Sequence, residues 1–564
     1  VVKDNVQLAD WVLARNQDLG SERASWDTHW QELAEYFLPR KAEISAKRSV
    51  PDSSRYDVLF DTSAVQAAAT LANGQLAYIT PADSRWFVYE PPKGVNSDKA
   101  KQWYAKCSEM TQLLLATSNL YTEVHELYYD DSVFGTYCMF VEAGMSHPLV
   151  FHKFDIGTYS LAENDEGLID TVFRELELTV LQAADKFGED NLAPAMQKKL
   201  QEIRRTGKGG TVKHRFVHAL YKREDNDRDR NKADGPNKPW ASVYVDQSNK
   251  HVCRNSGYDE KPFFAGRHVK SQQGVYGVSP AWMALPEARQ LNFLAKQLDA
   301  LSEIKAFPRL LMPATHEGEV DLRSGGVTYY DPTQPNALPQ EWATAGDYSI
   351  GLDREARKTN AINTAMHVDM FRMFASMERT NMTATEVAER ASEKLVQFSP
   401  SFTRKTTELL SPMLRGVFGI LIRNGHFPPP PQDAIQMDAM GQPMLPEPEV
   451  SYVSKVALAI RAMHNLSLAR TMERNAIIAQ VRPEVLDNFK WDVIARETAR
   501  NDGLPADWLA EENEVEEARA ARAQAQAQMQ QQQEMLTMAE AAGKAGSVKQ
   551  DSALGRLMNQ ATGV

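Results

Sequence analysis

Met377-Glu378-Arg379-Thr380-Asn381-Met382-Thr383-Ala384-Thr385-Glu386-Val387-Ala388-Glu389-Arg390 reads as a short polar loop running into a sharply marked helix start. Thr383 and Glu386 stand three apart, the spacing of a capping box. The Thr hydroxyl can accept from the N3 amide while the Glu carboxylate reaches back to the cap amide. Upstream, Leu352, Thr359, Ile362, Met366, Met370 and Met373 recur at helical spacing. Two helices therefore meet at a tight, exposed junction near residues 375 to 382. Standing alone, the same stretch also fits the turn of an ordinary helical hairpin.

The chain around this junction has 564 residues, too many for one compact core, so two to four domains are expected. Apolar residues make up 43% and charged residues 24%, the mix of a folded soluble protein. The formal net charge of −12 argues against tight, general nucleic-acid binding, which needs clustered cations to replace counterions. It leaves room for contact with DNA through a few placed basic residues. Cys107, Cys138 and Cys253 are odd in number and far apart, so neither a disulfide framework nor a zinc site follows, and synthesis in a reducing cytoplasm fits. No apolar run reaches membrane-spanning length. Val1 to Ala14 lacks the basic region of a secretory signal.

The pattern predicts an α+β, mostly helical protein. Residues 5–38 read as a helix with Trp26, Trp30, Leu33 and Phe37 on one face, a packing surface rather than a ligand site. Asp61 is placed to cap a helix over 62–79. Ser84–Glu90 reads as a strand, and Ser97–Thr117 and Thr122–Phe134 as helices. The period then shifts to two: Thr136–Glu142, Leu149–Asp155, Thr158–Glu163 and Leu168–Leu178 are expected strands. A helical insert over 179–206 follows, closed by Gly207–Gly210. Strands resume at Val212–Arg223 and Ala241–Val245, and charged Glu224–Lys238 reads as a mobile loop.

Ser279-Pro280 marks a helix start, with Leu291, Leu294, Leu298 and Leu301 as its stripe and Pro286 expected to kink or restart it. An irregular module with a short strand, Val327–Tyr330, occupies 309–350. A second helix is expected from about Asp353 to Phe374, and a third from Thr383 to about Arg423, bent at Pro400 and Pro412. Pro428–Pro431 opens a linker. Residues 452–510 read as short helices. In the tail, Glu511 to Glu517 precede Arg519 and Arg522, an order that suits the helix dipole. Ala523–Gln533 is helical by composition with little apolar face, and Gly543–Val564 is expected to be disordered.

Catalytic signatures are missing. Gly207-Lys208-Gly209-Gly210 lacks the geometry of a phosphate loop, and Gly274 with Gly277 is no dinucleotide fingerprint. Gly277-Val278-Ser279-Pro280-Ala281 lacks the closing Gly of a nucleophile elbow, and its Ser is better used as a cap. His316-Glu317 has Val320 where a zinc helix needs its second His. His367 reads as a packed or exposed helix residue. Asp130-Asp131 and the acids of Glu224–Asp229 could bind a hard cation, but solvated charge is the simpler reading. No catalytic residue, metal ligand or cofactor is therefore assigned.

From about residue 10 to 520 the chain resembles the head-to-tail connecting (portal) proteins of short-tailed bacteriophages. The resemblance rests on several stretches in the right order. Arg55-Tyr56-Asp57-Val58-Leu59-Phe60-Asp61-Thr62-Ser63, Leu71-Ala72-Asn73-Gly74 and Thr80-Pro81 with Arg85-Trp86-Phe87 form the first block. Next come Glu166-Gly167-Leu168-Ile169-Asp170-Thr171-Val172-Phe173-Arg174-Glu175 and Tyr276-Gly277-Val278-Ser279-Pro280 with Ala284-Leu285-Pro286-Glu287 and Leu291-Asn292. Thr383-Ala384-Thr385-Glu386-Val387 and Phe427 with Pro428–Pro431 complete the set. The long Ala/Gln tail departs from the pattern.

The resemblance implies a portal-type fold assembled as a dodecameric ring. It places the wing at 1–278, the first stem helix at 279–306, the clip at 307–350 and the second stem helix at 351–374. The channel loop falls at 375–382, the long wing helix and proline turn at 383–449, the crown at 450–540 and a disordered tail at 541–564. It also implies double-stranded DNA in the channel, docking of the terminase large subunit and of tail adaptor or nozzle proteins, and contact with major capsid and scaffolding proteins. No membrane is involved. The location implied is the virion, at the capsid portal vertex, after assembly in the host cytoplasm.

Ring closure turns one residue into a circle of identical charges, and a basic circle can touch phosphates without reading bases. Met377, Arg379, Asn381 and Met382 are the expected DNA contacts in the loop, with Lys358 and Arg372 as further lumen candidates. Two other readings stand beside the portal: a metal-dependent DNA-processing enzyme with a helical accessory region, and a coiled-coil structural adaptor suggested by the tail.

Overall fold

The computed structural model describes residues 4–45, 59–93, 95, 97–144, 147–229, 232–272, 274–307, 310–312, 321, 333, 340–341, 348–378, 398–437, 443–458, 471–478, 480, 482–501, 510 and 512–546. Two compact units make up the chain, Val1–Pro483 and Glu484–Val564.

In the first unit, α1 (Asn5–Phe37) opens on Asp4, whose carboxylate accepts from the Gln7 amide at 2.7 Å. Its two halves serve different cores. Leu8, Val12 and Leu19 pack on a β-sheet, whereas Trp30, Leu33 and Phe37 enter the main core, as the tryptophan stripe predicts. α2 (Ser63–Ile79), α3 (Asp98–Thr117) and α4 (Leu120–Val133) follow. Asp61 accepts from the Ser63 amide at 2.8 Å, one residue ahead of the geometric cap Thr62. The expected strand at 84–90 is shorter, β1 (Phe87–Glu90), and pairs antiparallel with Glu449–Tyr452. The boundary expected at 449/450 therefore cuts a strand, and Tyr452, Val456 and Ala457 lie in the same core as α1 to α4.

Two antiparallel sheets come next. β2 (Thr136–Glu142) is central between β3 (Val150–Phe154) and β9 (Phe263–Arg267). The outer edge of β3 is closed by helix side chains. Asn119 accepts from the Phe151 amide at 2.9 Å and donates to its carbonyl at 2.7 Å, and Glu123 accepts from the Lys153 amide at 2.8 Å. The second sheet is a meander of β4 (Tyr159–Glu163), β5 (Ile169–Thr179), β6 (Lys213–Lys222), β7 (Trp240–Asp246) and β8 (His251–Tyr258). α1 covers one face. The helical insert, α5 (Val180–Phe187) and α6 (Pro194–Thr206), covers the other. β8 and β9 are not foreseen by the sequence pattern. In β8 only Val252, Cys253 and Gly257 are buried, so alternation is weak there.

α7 (Pro280–Ala306) starts where the Ser-Pro pair predicts. Ser279 Oγ accepts from the Trp282 amide at 3.0 Å and donates to the Val133 carbonyl at 2.7 Å. Of the two outcomes expected at Pro286, a restart does not occur: the helix runs on through it. Burial of Ala281, Ala284, Leu285, Ala288 and Leu291 offsets the one hydrogen bond a proline removes.

The expected second helix, 353–374, is instead two. α8 (Tyr348–Ala365) ends at a break where His367 has φ 53°, and α9 (Val368–Glu378) follows. The left-handed residue re-aims the chain so that Val368, Met370 and Phe371 are all buried. Phe371 stacks 6.1 Å from Tyr78, in a space kept open by Gly74 on α2.

Of the irregular module, Leu310–Leu311 pairs with Gln340–Glu341, and the expected strand 327–330 lies outside the described residues. The start of the expected third helix, with its Thr383–Glu386 box, also lies outside them. Residues 398–405 are helical, pass through a π turn at Thr406–Leu410 and continue as α10 (Ser411–Arg423). Pro412 stands one residue beyond the π turn, after Ser411, so the wider turn sits where its missing amide would leave a gap.

In the second unit, α11 (Trp491–Asn501) is tied to α12 (Glu512–Gly546) by Arg519, which donates to both Asp492 oxygens at 2.8 and 2.6 Å. α12 is solvent-exposed from Glu516 to Thr537 and extends past Gly543, where the composition points to disorder.

Candidate nucleic-acid interface and its anchor

α7 and α8 lie side by side. Gly351 lets them close, because a Cβ there would run into Leu298. Lys358 on α8 donates to Glu287 Oε2 at 2.7 Å and to Gln290 across the helix pair. This candidate is thus spent largely on joining two helices. Arg372, on α9, is exposed, and no described residue holds it in an ion pair. Met377 belongs to the last turn of α9, so the first four residues of the expected channel loop are helical. Arg379, Asn381 and Met382 lie outside the described residues.

The two sides of this segment meet in one core. Phe398 is fully buried, with its ring centroid 5.8 Å from Phe371 of α9 and 5.7 Å from His367 at the helix break, both nearly edge-on. α9 and the helix that carries Phe398 therefore pack against each other in that core. Burial pushes the His367 ring down to about 4, with the His268 ring and the Lys405 ammonium adding to the shift, so His367 is neutral at pH 7.

Beneath this joint lies a network of buried charge. Asp130 and Asp131, at the end of α4, are both 0% exposed, which corrects the solvated-charge reading. Asp130 is held by Lys41 at 2.9 Å and Lys153 at 2.7 Å. Asp131 is held by Lys405 at 2.8 Å and His268 at 3.2 Å, and Lys405 also donates to Ser401 at 2.9 Å. With three lysines already on these two carboxylates, a hard cation is disfavoured. Burial alone would raise the Asp131 carboxyl; the Lys405 ammonium and the His268 ring outweigh it and hold the group below the usual carboxylate range. Among the described residues no cluster of His, Cys, Asp and Glu could hold a metal. The acids of 224–229 are exposed or half-exposed, in line with solvated charge.

Next to it, the π turn supplies Glu408. This carboxylate accepts from the Arg267 amide at 2.9 Å, from the Arg267 guanidinium at 3.1 Å and from Arg404 at 2.9 Å. Arg267 also reaches Glu163 at 2.9 Å. The helix that follows the junction is thereby fixed by charge to α4, β4 and β9. Sequence reading misses this anchor. One signal was present: Phe398, Phe402, Lys405 and Leu409 form a helical stripe in which a lysine takes an apolar place.

No helix among the described residues is long and apolar enough to cross a membrane. Cys107, Cys138 and Cys253 are free and buried, and burial pushes each thiol up to about 12, the opposite of an activated nucleophile.

A model of the family described as bacteriophage head to tail connecting protein matches residues 9–509. The "Probable portal protein" of Bordetella phage BPP-1 is 29% identical over 545 residues, 95% of each chain. The "Portal protein" of Salmonella phage epsilon15 is 28% identical over 491 residues, 85% of each chain. A chain of the "Virion of native gene transfer agent (GTA) particle" aligns with 58% of this chain and 72% of its own at 10% identity and a TM-score of 0.27, too loose a likeness to argue from.

Proposed function

The chain belongs to the bacteriophage head to tail connecting proteins, and from that premise we propose that copies of it close into a ring whose bore passes double-stranded DNA. Its function is that of a phage portal or connector, a component of the virion with capsid and tail partners. The enzyme and coiled-coil readings gain no support from these relatives, and the family's naming is that of a structural part.

One observation carries the ring. On the α7–α8 pair of a single chain, Met283, Phe293, Phe307, Ile350 and Leu352 are 67%, 65%, 76%, 58% and 46% exposed. Large apolar side chains left this exposed on two neighbouring helices suit a contact with another copy. A contact of this kind repeated head to tail about an axis yields a closed annulus. Twelve copies are the proposed number. α7 and α8 are the proposed stem, residues 307–347 the clip and 1–278 the wing. The crown is drawn from residues after 457, because 449–457 pack with the wing core.

Under this reading, the segment after α9, with Arg379, Asn381 and Met382, faces the bore, and Arg372 sits above it. The terminase large subunit and tail adaptor dock at the clip, and capsid and scaffolding proteins surround the wing at one capsid vertex. The chain performs no bond chemistry of its own. Phe293→Asp tests the ring: it should leave circular dichroism unchanged and reduce the assembled fraction by at least about tenfold, because a charge would replace apolar contact at the interface. Full assembly of that variant would contradict the interface.

A further inference from the structure

Residues 198–215 run KKLQEIRRTGKGGTVKHR, seven cations against the single carboxylate of Glu202, in a chain whose formal charge is −12. Two of the seven are engaged: Arg204 with Glu189, and Arg215 with Glu177 at 3.6 Å. Lys198, Lys199, Arg205, Lys208 and Lys213 are exposed, and no described residue pairs with them. Local structure gathers them. Met196 and Leu200, with Ile203, seat α6 on the sheet module, which leaves Lys198 and Arg205 on the outward face. Gly207 ends the helix with φ 67°, a left-handed turn that only glycine adopts freely. The turn then folds back, so that Gly209 and Gly210 approach Ile203 and Lys208 stands at the helix end. Lys199 lies close enough to His214, at the start of β6, to pull its ring down after burial has done so.

We propose that the end of α6, the Gly207–Gly210 turn and the start of β6 form a second, sequence-independent contact for the phosphate backbone of duplex DNA, built from other elements than the α7–α9 channel helices. Arg204, Arg205 and Lys208 also suit the negative end of α6, but Lys198 and Lys199, in the middle of the helix, gain nothing from its dipole. A protein partner would need a large anchor, typically aromatic, at the centre of its footprint, and here the large exposed apolar side chains are Val212 and Leu181, which lies beside Gly210; neither is aromatic. Cations without such an anchor suit phosphates, where release of counterions supplies the affinity.

The test uses the full chain and a mixed-sequence duplex of about 30 base pairs, with affinity measured against salt. The variant Lys198→Gln, Lys199→Gln, Arg205→Gln, Lys208→Gln, Lys213→Gln should bind about 100-fold more weakly near 0.1 M salt, with a salt slope shallower by about 4. If the five changes disturb folding, Lys198→Glu with Lys208→Glu should still flatten the slope by about 2. Unchanged affinity and slope would overturn the proposal. So would loss of polyglutamate binding with DNA binding intact, which would assign the patch to an acidic protein. The mass of the assembly, measured on the same samples, reports the ring independently, so failure of one reading does not disguise failure of the other.

Discussion

Lys405 and Asp131 are both fully buried, and the Lys405 ammonium stands 2.8 Å from Asp131 Oδ2. They join the helix that follows the junction to the end of α4. Removing one partner strands the other charge in the core. Lys405→Met should therefore cost about 3–5 kcal/mol in denaturant unfolding, and Lys405→Met with Asp131→Asn should recover much of it. Additive losses in this double-mutant cycle would show that the two groups act separately.

His367 makes stability depend on pH in a defined window. An unfolded histidine takes a proton near pH 6.5, and the folded one only near 4. Between these values the unfolded chain binds more protons, so stability falls as pH drops, by about 3 kcal/mol across the window. His268, also lowered by burial, adds in the same direction. His367→Asn keeps a residue that tolerates positive φ and removes the titration. Its thermal midpoint should change less between pH 6.5 and 4 than that of the parent. Below that window both proteins should lose stability together, because the depressed Asp131 carboxyl must then be protonated. Identical slopes from pH 6.5 to 4 would show that His367 does not carry this pH dependence.

Arg372 and Arg379 are the basic residues nearest the junction. If the chain assembles as the proposed ring, Arg379→Ala and Arg372→Gln should leave assembly intact and lower the genome content of particles, because each would remove a circle of charge. Lys358→Gln should behave differently. Its ion pair with Glu287 ties α7 to α8, so its loss should appear as about 1 kcal/mol of stability. Normal genome content in both arginine variants would move the DNA contact elsewhere.

Much of the fold was legible in local pattern. The Trp30–Leu33–Phe37 stripe, the Ser279-Pro280 start and the Gly207 stop are decided by residues close in sequence, and each stands where local chemistry places it. What escaped depends on distant partners. Glu449–Tyr452 is a strand because Phe87–Glu90 lies beside it. The α8–α9 break at His367 follows from burying Val368 and Phe371 in a core assembled from α2 and residues after 397. Asp130 and Asp131 looked like solvent-facing charge because their lysines are 89 and 274 positions away in the chain, at Lys41 and Lys405. For the candidate DNA contacts, composition could mark basic residues but not their engagement, which is why Lys358 and Arg372 looked alike.

Particle imaging of the purified chain distinguishes a closed annulus with DNA along its axis from every other assembly. Rings of about twelve copies are expected, with a bore wide enough for a duplex and the α7–α8 pair lining it. Solid particles, open filaments, or rings with the α9 end on the outer rim would contradict it.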